Sequence, residues 1–184
     1  MEIAEQKVCL VSLGCHKNQV DAEIILGALD DASFVLTNDA ATAEVIIVNT
    51  CGFLKAAREE SAEILAEMAE YRQTGQLNWL VVTGCMADRD RTWLLERVPD
   101  IDQFLSSFEL DKIPERLRRK KALPGLAATD FRWAESPRWL STPSSYAFLK
   151  ISDGCNNRCS YCRIPYLRGG FRSKPLDDII EEAE

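Results

Sequence analysis

"AEVIIVNTC", residues 43–51, is the stretch on which the fold turns. Val45 to Val48 are four consecutive aliphatic residues with no polar alternation, as expected of a strand covered on both faces. Two further runs resemble it: "KVCLVSLGC" at 7–15 and "WLVVTGC" at 79–85. A helical pattern follows each. "DAEIILGALDD" (21–31) has helical spacing at Ile24, Ile25, Leu26 and Leu29, and "AAREESAEILAEMAEYR" (56–72) puts Ile64, Leu65 and Met68 on one face. "RTWLLERV" (91–98) repeats the helix after the third run. The βαβαβα order predicts an α/β fold: a parallel, doubly wound sheet with right-handed crossovers.

The remaining chain is organised differently. "ELDKIPERLRRKK" (109–121) reads as a helix closing the first domain, 1–121. Its basic end, Arg116 to Lys121, is read as a solvated helix terminus whose cations suit the macrodipole rather than as a nucleic-acid patch. Residues 122–145 are rich in Pro, Ser and isolated Trp and are expected to form a linker, with Trp133 and Trp139 packing on a neighbouring surface. Residues 146–184 hold "YAFLKIS", read as a strand, then a cysteine loop, then "PLDDIIEEAE", read as a helix. One βα unit cannot cover both faces of a parallel strand, so this segment is expected to be the start of a larger unit.

Composition narrows the function classes. A net charge of −7 over 184 residues excludes the chain as a whole as an electrostatic footprint for nucleic acid. No apolar run approaches the ~20 residues that span a bilayer, and the start reads as no signal peptide, so a cytoplasmic location without a membrane is expected. Seven cysteines in such a chain point to metal ligands, catalytic thiols or core residues rather than a disulfide framework.

Three cysteines occupy equivalent places. Cys15, Cys51 and Cys85 each end one of the three apolar runs and precede a helix. In a parallel sheet the carboxyl ends of the strands share one edge, where ligands of open α/β sheets bind. Helix N-termini point to that edge and favour an anionic centre, such as a thiolate-bound metal cluster. The glycines beside these cysteines, Gly14, Gly52 and Gly84, let the backbone approach closely. A single strand-end cysteine is most simply a small buried thiol; three in matching places point instead to ligands. Cys9 lies mid-strand and reads as a core residue.

Three more thiols, Cys155, Cys159 and Cys162, lie within "ISDGCNNRCSYCRIPYLRGG", residues 151–170. Structural zinc commonly takes four protein ligands, and the only histidine is His16. A Cys-x2-Cys redox pair would leave Cys155 unused, and the ferredoxin spacing differs and needs a fourth Cys. A 4Fe-4S cube on three thiolates keeps one iron open for a ligand that is not protein. Tyr161 could shield such a cube, and Arg158, Arg163 and Arg168 either offset its charge or are simply solvated.

Cys-x3-Cys-x2-Cys on a loop after a strand resembles the signature of the radical S-adenosylmethionine enzymes. "YAFLKISDGCNNRCSYCRIP" followed by "RGGFRSKP" resembles the methylthiotransferases among them. "VSLGCHKNQVDAE", "VNTCGF" and "VTGC" resemble the N-terminal domain of those enzymes, and are nearer to the group modifying an aspartate of ribosomal protein S12 than to the tRNA enzymes. His16 departs from that group, which usually shows Pro there; it reads as a tolerated loop residue.

The resemblance implies two 4Fe-4S clusters, one on Cys155, Cys159 and Cys162 and an auxiliary one on Cys15, Cys51 and Cys85. The first would bind S-adenosylmethionine and generate a 5′-deoxyadenosyl radical that takes hydrogen from an unactivated carbon. The second would hold the methylthio group, the two facing each other across the substrate. It also implies a (β/α) barrel of which 146–184 is the first βα unit, an electron donor such as flavodoxin or ferredoxin, and no turnover by these 184 residues alone. A tRNA substrate, or a non-catalytic iron-sulfur or zinc module, are the alternatives.

Overall fold

The computed structural model describes residues 6–119, 133 and 137–184. Its centre is the continuous apolar run: β3, Val45–Thr50, is buried at all six positions. It pairs in parallel with β1, Lys7–Ser12, on one side and with β4, Trp79–Gly84, on the other. Two short strands complete the sheet, β2 (Val35–Thr37) beside β1 and β5 (Gln103–Phe104) beside β4, in the order β2-β1-β3-β4-β5. All four pairings are parallel. The order reverses between β1 and β3, which is the switch point of a flavodoxin-like doubly wound sheet.

Period-two alternation splits β3 between two cores. Ile46 and Val48 join Leu80 and Val82 on one face, against Ala62, Leu65 and Met68 of α2 (Lys55–Thr74) and Leu94 of α3 (Arg91–Leu95). Val45 and Ile47 join Val8 and Val81 on the other, against Ile25 and Leu29 of α1 (His16–Asp31) and Ile113 and Leu117 of α4 (Ile113–Arg118). Each fully buried aliphatic side chain contributes about 1.5–3 kcal/mol. Cys9 is buried in the first of these cores, as its mid-strand place predicts.

The basic helix expected over 109–121 is shorter. A 3-10 turn, Leu110–Lys112, leads into α4, which carries Pro114 in its first turn and ends at Arg118; Lys120 and Lys121 lie outside the described residues. The cations here have partners: Arg116 donates to Glu109 (3.0 Å) and Arg118 to the Ala32 carbonyl (2.6 Å).

Most of 122–145 lies outside the described residues. Residues 137–141 cross α1 as a strap. A Cβ on Gly27 would stand 1.7 Å from the Pro137 carbonyl oxygen, so only glycine admits the crossing. The Trp139 amide donates to the Glu23 carbonyl (3.0 Å), yet its side chain is half exposed instead of packed. Glu23, 1% exposed, accepts from Arg138 (2.5 Å) and from the amide and hydroxyl of Ser141 (3.0 and 2.7 Å). Burial pushes its pKa up, but those donors outweigh it and hold the carboxyl below its ordinary value.

The strand expected at 146–152 does not form. β6 is Ser152–Asp153, antiparallel to β7, Arg172–Ser173. Among the described residues no parallel neighbour flanks 146–151, and Leu149 and Ile151 are exposed. Without a ladder on either side an apolar run has no reason to become a strand. Two helices follow, α5 (Ile164–Arg168) and α6 (Leu176–Ala183). No helix among the described residues is long and apolar enough to cross a membrane.

Candidate metal centre

The sheet brings the strand-end cysteines to one edge. Cys51 directly follows β3 and Cys85 directly follows β4, and the Thr50↔Gly84 register carries on into them: the Cys85 amide donates to the Thr50 carbonyl at 3.0 Å. Cys15 follows β1 after a turn and is the N-cap residue of α1, with no side-chain cap bond. Gly14 lies at φ +96°, where a Cβ would stand 2.6 Å from the Cys51 Cβ and 2.8 Å from its Sγ. The Cys51 thiol therefore rides over the turn that delivers Cys15. Gly84, at φ +84°, has no room either: a Cβ would meet Asn49 Oδ1 at 2.4 Å and the Thr50 carbonyl oxygen at 2.5 Å. Ser61 of α2 holds Cys51 from behind, accepting from its amide and donating to its carbonyl, both at 3.2 Å.

Cys15 is exposed, whereas Cys51 and Cys85 are buried. Burial pushes the Cys85 thiol up; the Arg168 guanidinium beside it pulls the other way without cancelling the rise. Of the three helix N-termini expected at this edge, only that of α1 abuts its cysteine. Residues 52–54 separate Cys51 from α2, and a longer turn separates Cys85 from the one-turn α3. His16 is the first residue of α1, not a loop residue. Its ring stacks on Phe148 with centroids 4.2 Å apart.

The second trio is held by its flanks. Gly154, φ +75°, has its would-be Cβ 2.1 Å from the Gly170 carbonyl oxygen, and the Cys155 amide donates to the Gly169 carbonyl (3.1 Å). The Cys162 amide donates to the Cys159 carbonyl (3.0 Å). Cys155 and Cys162 are half-buried and Cys159 is exposed. Tyr161, expected to shield the thiols, is 86% exposed and faces solvent.

The arginines separate into two kinds. Arg158 is exposed, so solvation describes it. Arg163, beside Cys162, donates to the carbonyl of Gly52, beside Cys51, at 2.7 Å and forks onto both oxygens of Asp90 (3.0 and 3.1 Å). Arg58 of α2 meets the same Asp90 at 3.0 Å. Arg168 is 4% exposed. It donates to Asn18 Oδ1 (2.6 Å) and pairs with Asp21 (2.8 Å) and Asp153 (3.2 Å). Lys150 pairs with Asp21 and Asp153, and Lys17 reaches Asp153 from the rim at 3.5 Å. Burial opposes the Arg168 charge, but Asp21, Cys85 and Asp153 raise its pKa well above the ordinary value.

Asn18 joins the two groups. Its amide donates to the Leu13 and Thr50 carbonyls, both at 2.9 Å, fixing the ends of β1 and β3. Its oxygen faces Arg168 and the Cys85 thiol, the latter 3.7 Å away. The sequence reading missed Asn18, Asp21, Asp90 and Asp153. A signal existed for the first two: Asn18 and Asp21 continue the helical stripe of Ile25 and Leu29 as polar residues on a buried face.

The donor set is entirely thiol, which suits zinc or iron-sulfur chemistry and not magnesium or calcium. Among the described residues no three His, Cys, Asp or Glu gather around one point as ligands of a single ion. A cube presents its irons at separate corners, so thiolates on three irons stand further apart than thiolates sharing one ion. The buried Arg168 guanidinium beside Cys85 suits an anionic group at this edge. None of the six cysteines lines the groove of about 1030 Å³ formed by Val20, Ile24, Arg138 and Phe148.

The class the structure defines is an α/β protein with a parallel doubly wound sheet, whose switch-point edge carries buried thiols and meets a second thiol loop. The family described as Uncharacterized protein family UPF0004 matches residues 7–106, and the chain belongs to it. The ribosomal protein uS12 methylthiotransferase RimO of Caldicellulosiruptor saccharolyticus is 43% identical over 183 residues, 96% of this chain and 41% of that protein. The protein of the same name from Clostridioides difficile is 45% identical over 182 residues, 97% of this chain and 41% of its own length. That from Sorangium cellulosum is 44% identical over 184 residues, 99% and 38%. The chain thus spans about two fifths of the curated relatives it matches.

Proposed function

We propose that this chain is the cluster-bearing part of a radical S-adenosylmethionine methylthiotransferase whose substrate is an aspartate of ribosomal protein uS12. The identity of 43–45% to proteins of that name, over nearly all of this chain, supports the substrate. The observation that carries the chemistry is the docking of one cysteine trio onto the sheet edge that bears the other, through Arg163 and Arg168. In this reading Cys15, Cys51 and Cys85 hold one 4Fe-4S cluster, and Cys155, Cys159 and Cys162 hold the other. Together with S-adenosylmethionine these groups supply hydrogen abstraction and sulfur transfer.

The chain's own residues set the stage. β1, β3 and β4 orient the strand-end thiols, Arg168 places a fixed positive charge beside Cys85, and the bonds to Gly169 and Cys159 shape the loop. The proposal keeps 1–121 as the domain of the first trio, 122–145 as its connection and 146–184 as the start of the second domain. It places the protein in the cytoplasm, with flavodoxin or ferredoxin as electron donor.

Metal analysis after anaerobic reconstitution tests it. The chain should take up about eight irons, falling to about four in the Cys155/Cys159/Cys162 triple Ala variant, as expected for two 4Fe-4S clusters. Zinc, or no iron, would remove the reading. With the chain extended to the length of its relatives, methylthio incorporation into a uS12 peptide and not into tRNA is expected; the reverse would assign a tRNA enzyme.

A further inference from the structure

Two pins join the cysteine loop to the sheet edge, one at each end of α5. At the Cys162 end, Arg163 reaches the backbone beside Cys51 and forks onto Asp90, which is 7% exposed and already paired with Arg58. At the other end, Arg168 enters a buried pocket of Asn18, Asp21 and Asp153. Between them Leu167, 2% exposed, comes within contact distance of the Cβ position of Gly52. A one-turn helix has no stability of its own. Its place is set by what its ends grip.

We propose that Arg163 and Arg168 are positioning residues that fix the separation of the two cysteine trios, Arg163 acting through Gly52 and Asp90, and Arg168 through Asn18 and Asp21. The functional meaning of that separation rests on the two-cluster reading; the docking itself does not. Each grip is specific to a guanidinium. Arg163 uses both terminal nitrogens on acceptors from two segments, the Gly52 carbonyl and the Asp90 carboxylate, which a lysine cannot reproduce. Arg168 engages Asn18 through one nitrogen and Asp21 and Asp153 through the other. The same Asn18 oxygen faces the Cys85 thiol, so the pin and a candidate ligand share one orienting residue.

The experiment is hydrogen exchange by mass spectrometry on the metal-free chain, comparing wild type with Arg163→Ala, Arg163→Lys, Asp90→Asn and Arg168→Gln. Exchange over 155–173 should accelerate by about tenfold or more in Arg163→Ala, the change that ~1.4 kcal/mol of lost docking gives. Peptides covering 45–50 and 80–84 should keep their protection. Arg163→Lys should recover only part of the difference, and Asp90→Asn should behave like Arg163→Ala. Should Arg168→Gln lose core protection as well, Arg163→Ala and Asp90→Asn decide, since both leave the buried Asp21–Asp153 pocket intact. Unchanged exchange over 155–173 in those two variants would overturn the proposal.

A second readout separates positioning from mere support. In the reconstituted and reduced chain, magnetic interaction between two paramagnetic clusters should appear in the wild-type electron paramagnetic resonance spectrum. It should weaken in Arg163→Ala at unchanged iron content. An interaction of equal strength in the variant would refute positioning. A wild-type chain that binds no iron refutes the two-cluster reading while the exchange result still stands or falls by itself.

Discussion

The two cysteine trios are built by different physics. Cys51 and Cys85 extend the ladder of two central, fully covered strands, and the Cys85 amide is itself a rung on Thr50. Main-chain register places them, and no side-chain charge is needed. The loop of Cys155, Cys159 and Cys162 stands beside a ladder of only two residues per strand. Its segment meets α1 and the sheet edge through Lys17, Lys150, Arg163 and Arg168. A site placed by main-chain register keeps its position when a charge is removed, whereas a charge-docked one is specific and fails when one partner is removed. The first suits a fixed reference point, the second a part that must be brought to it.

The largest effect is expected at Asp21. Asp21→Leu removes one of the two carboxylates that neutralise Arg168 and Lys150 in a buried pocket. Breaking such a group from one side costs about 3–5 kcal/mol, to be read from urea unfolding. A loss near zero would mean that the pocket is wet and the charges are not holding the loop. The backbone side is tested by Gly84→Ala, which forces a side chain onto a positive φ and into Asn49 and Thr50. A cost of about 1–3 kcal/mol is expected, a fall in Tm of roughly 2–4 °C per kcal/mol at this size. An unchanged Tm would show that the strand ends are not fixed by the turn.

Much of this was legible in the sequence, and the exceptions have a common cause. The continuous apolar run of Val45–Val48 and the stripes of Ile25, Leu29, Leu65 and Met68 announce their strand and helices, because burial on a repeating lattice leaves a periodic trace. The alignment of Cys15, Cys51 and Cys85 on one edge follows from that. The edge strands Val35–Thr37 and Gln103–Phe104 are too short to show a period. The run at 146–152 has strand composition but lacks strand neighbours, which is a property of the rest of the molecule and not of those residues. Asp153 looks like a surface residue until its surroundings are in place, and Asn18 and Asp21 show only as polar residues on the apolar face of α1.

The strap over α1 offers a gentler test. Glu182 meets Arg138 and Lys174, whose cations outweigh the burial that would raise its pKa and leave it lowered, as for Glu23. Carboxyls with depressed folded-state values add stability above the ordinary glutamate value of about 4.3, and lose it as pH falls through the folded value. Protection of 137–149, taken relative to the intrinsic exchange rate at each pH, should therefore fall on acidification below that range while that of 45–50 holds. Equal loosening of both would place the acid-sensitive contacts in the core instead. Smallest of all, Tyr161→Ser at an 86% exposed position should shift metal-free stability by no more than about 0.5 kcal/mol.

The location of the pins also dictates an order of assembly. Asn18, Asp21, Gly52 and Asp90 all precede the cysteine loop in the chain. During synthesis, at roughly 5–20 residues per second with N-terminal units folding first, the sheet edge is finished before Arg163 and Arg168 emerge. The later thiols arrive at a prepared receptor, which selects the loop's conformation as it is made.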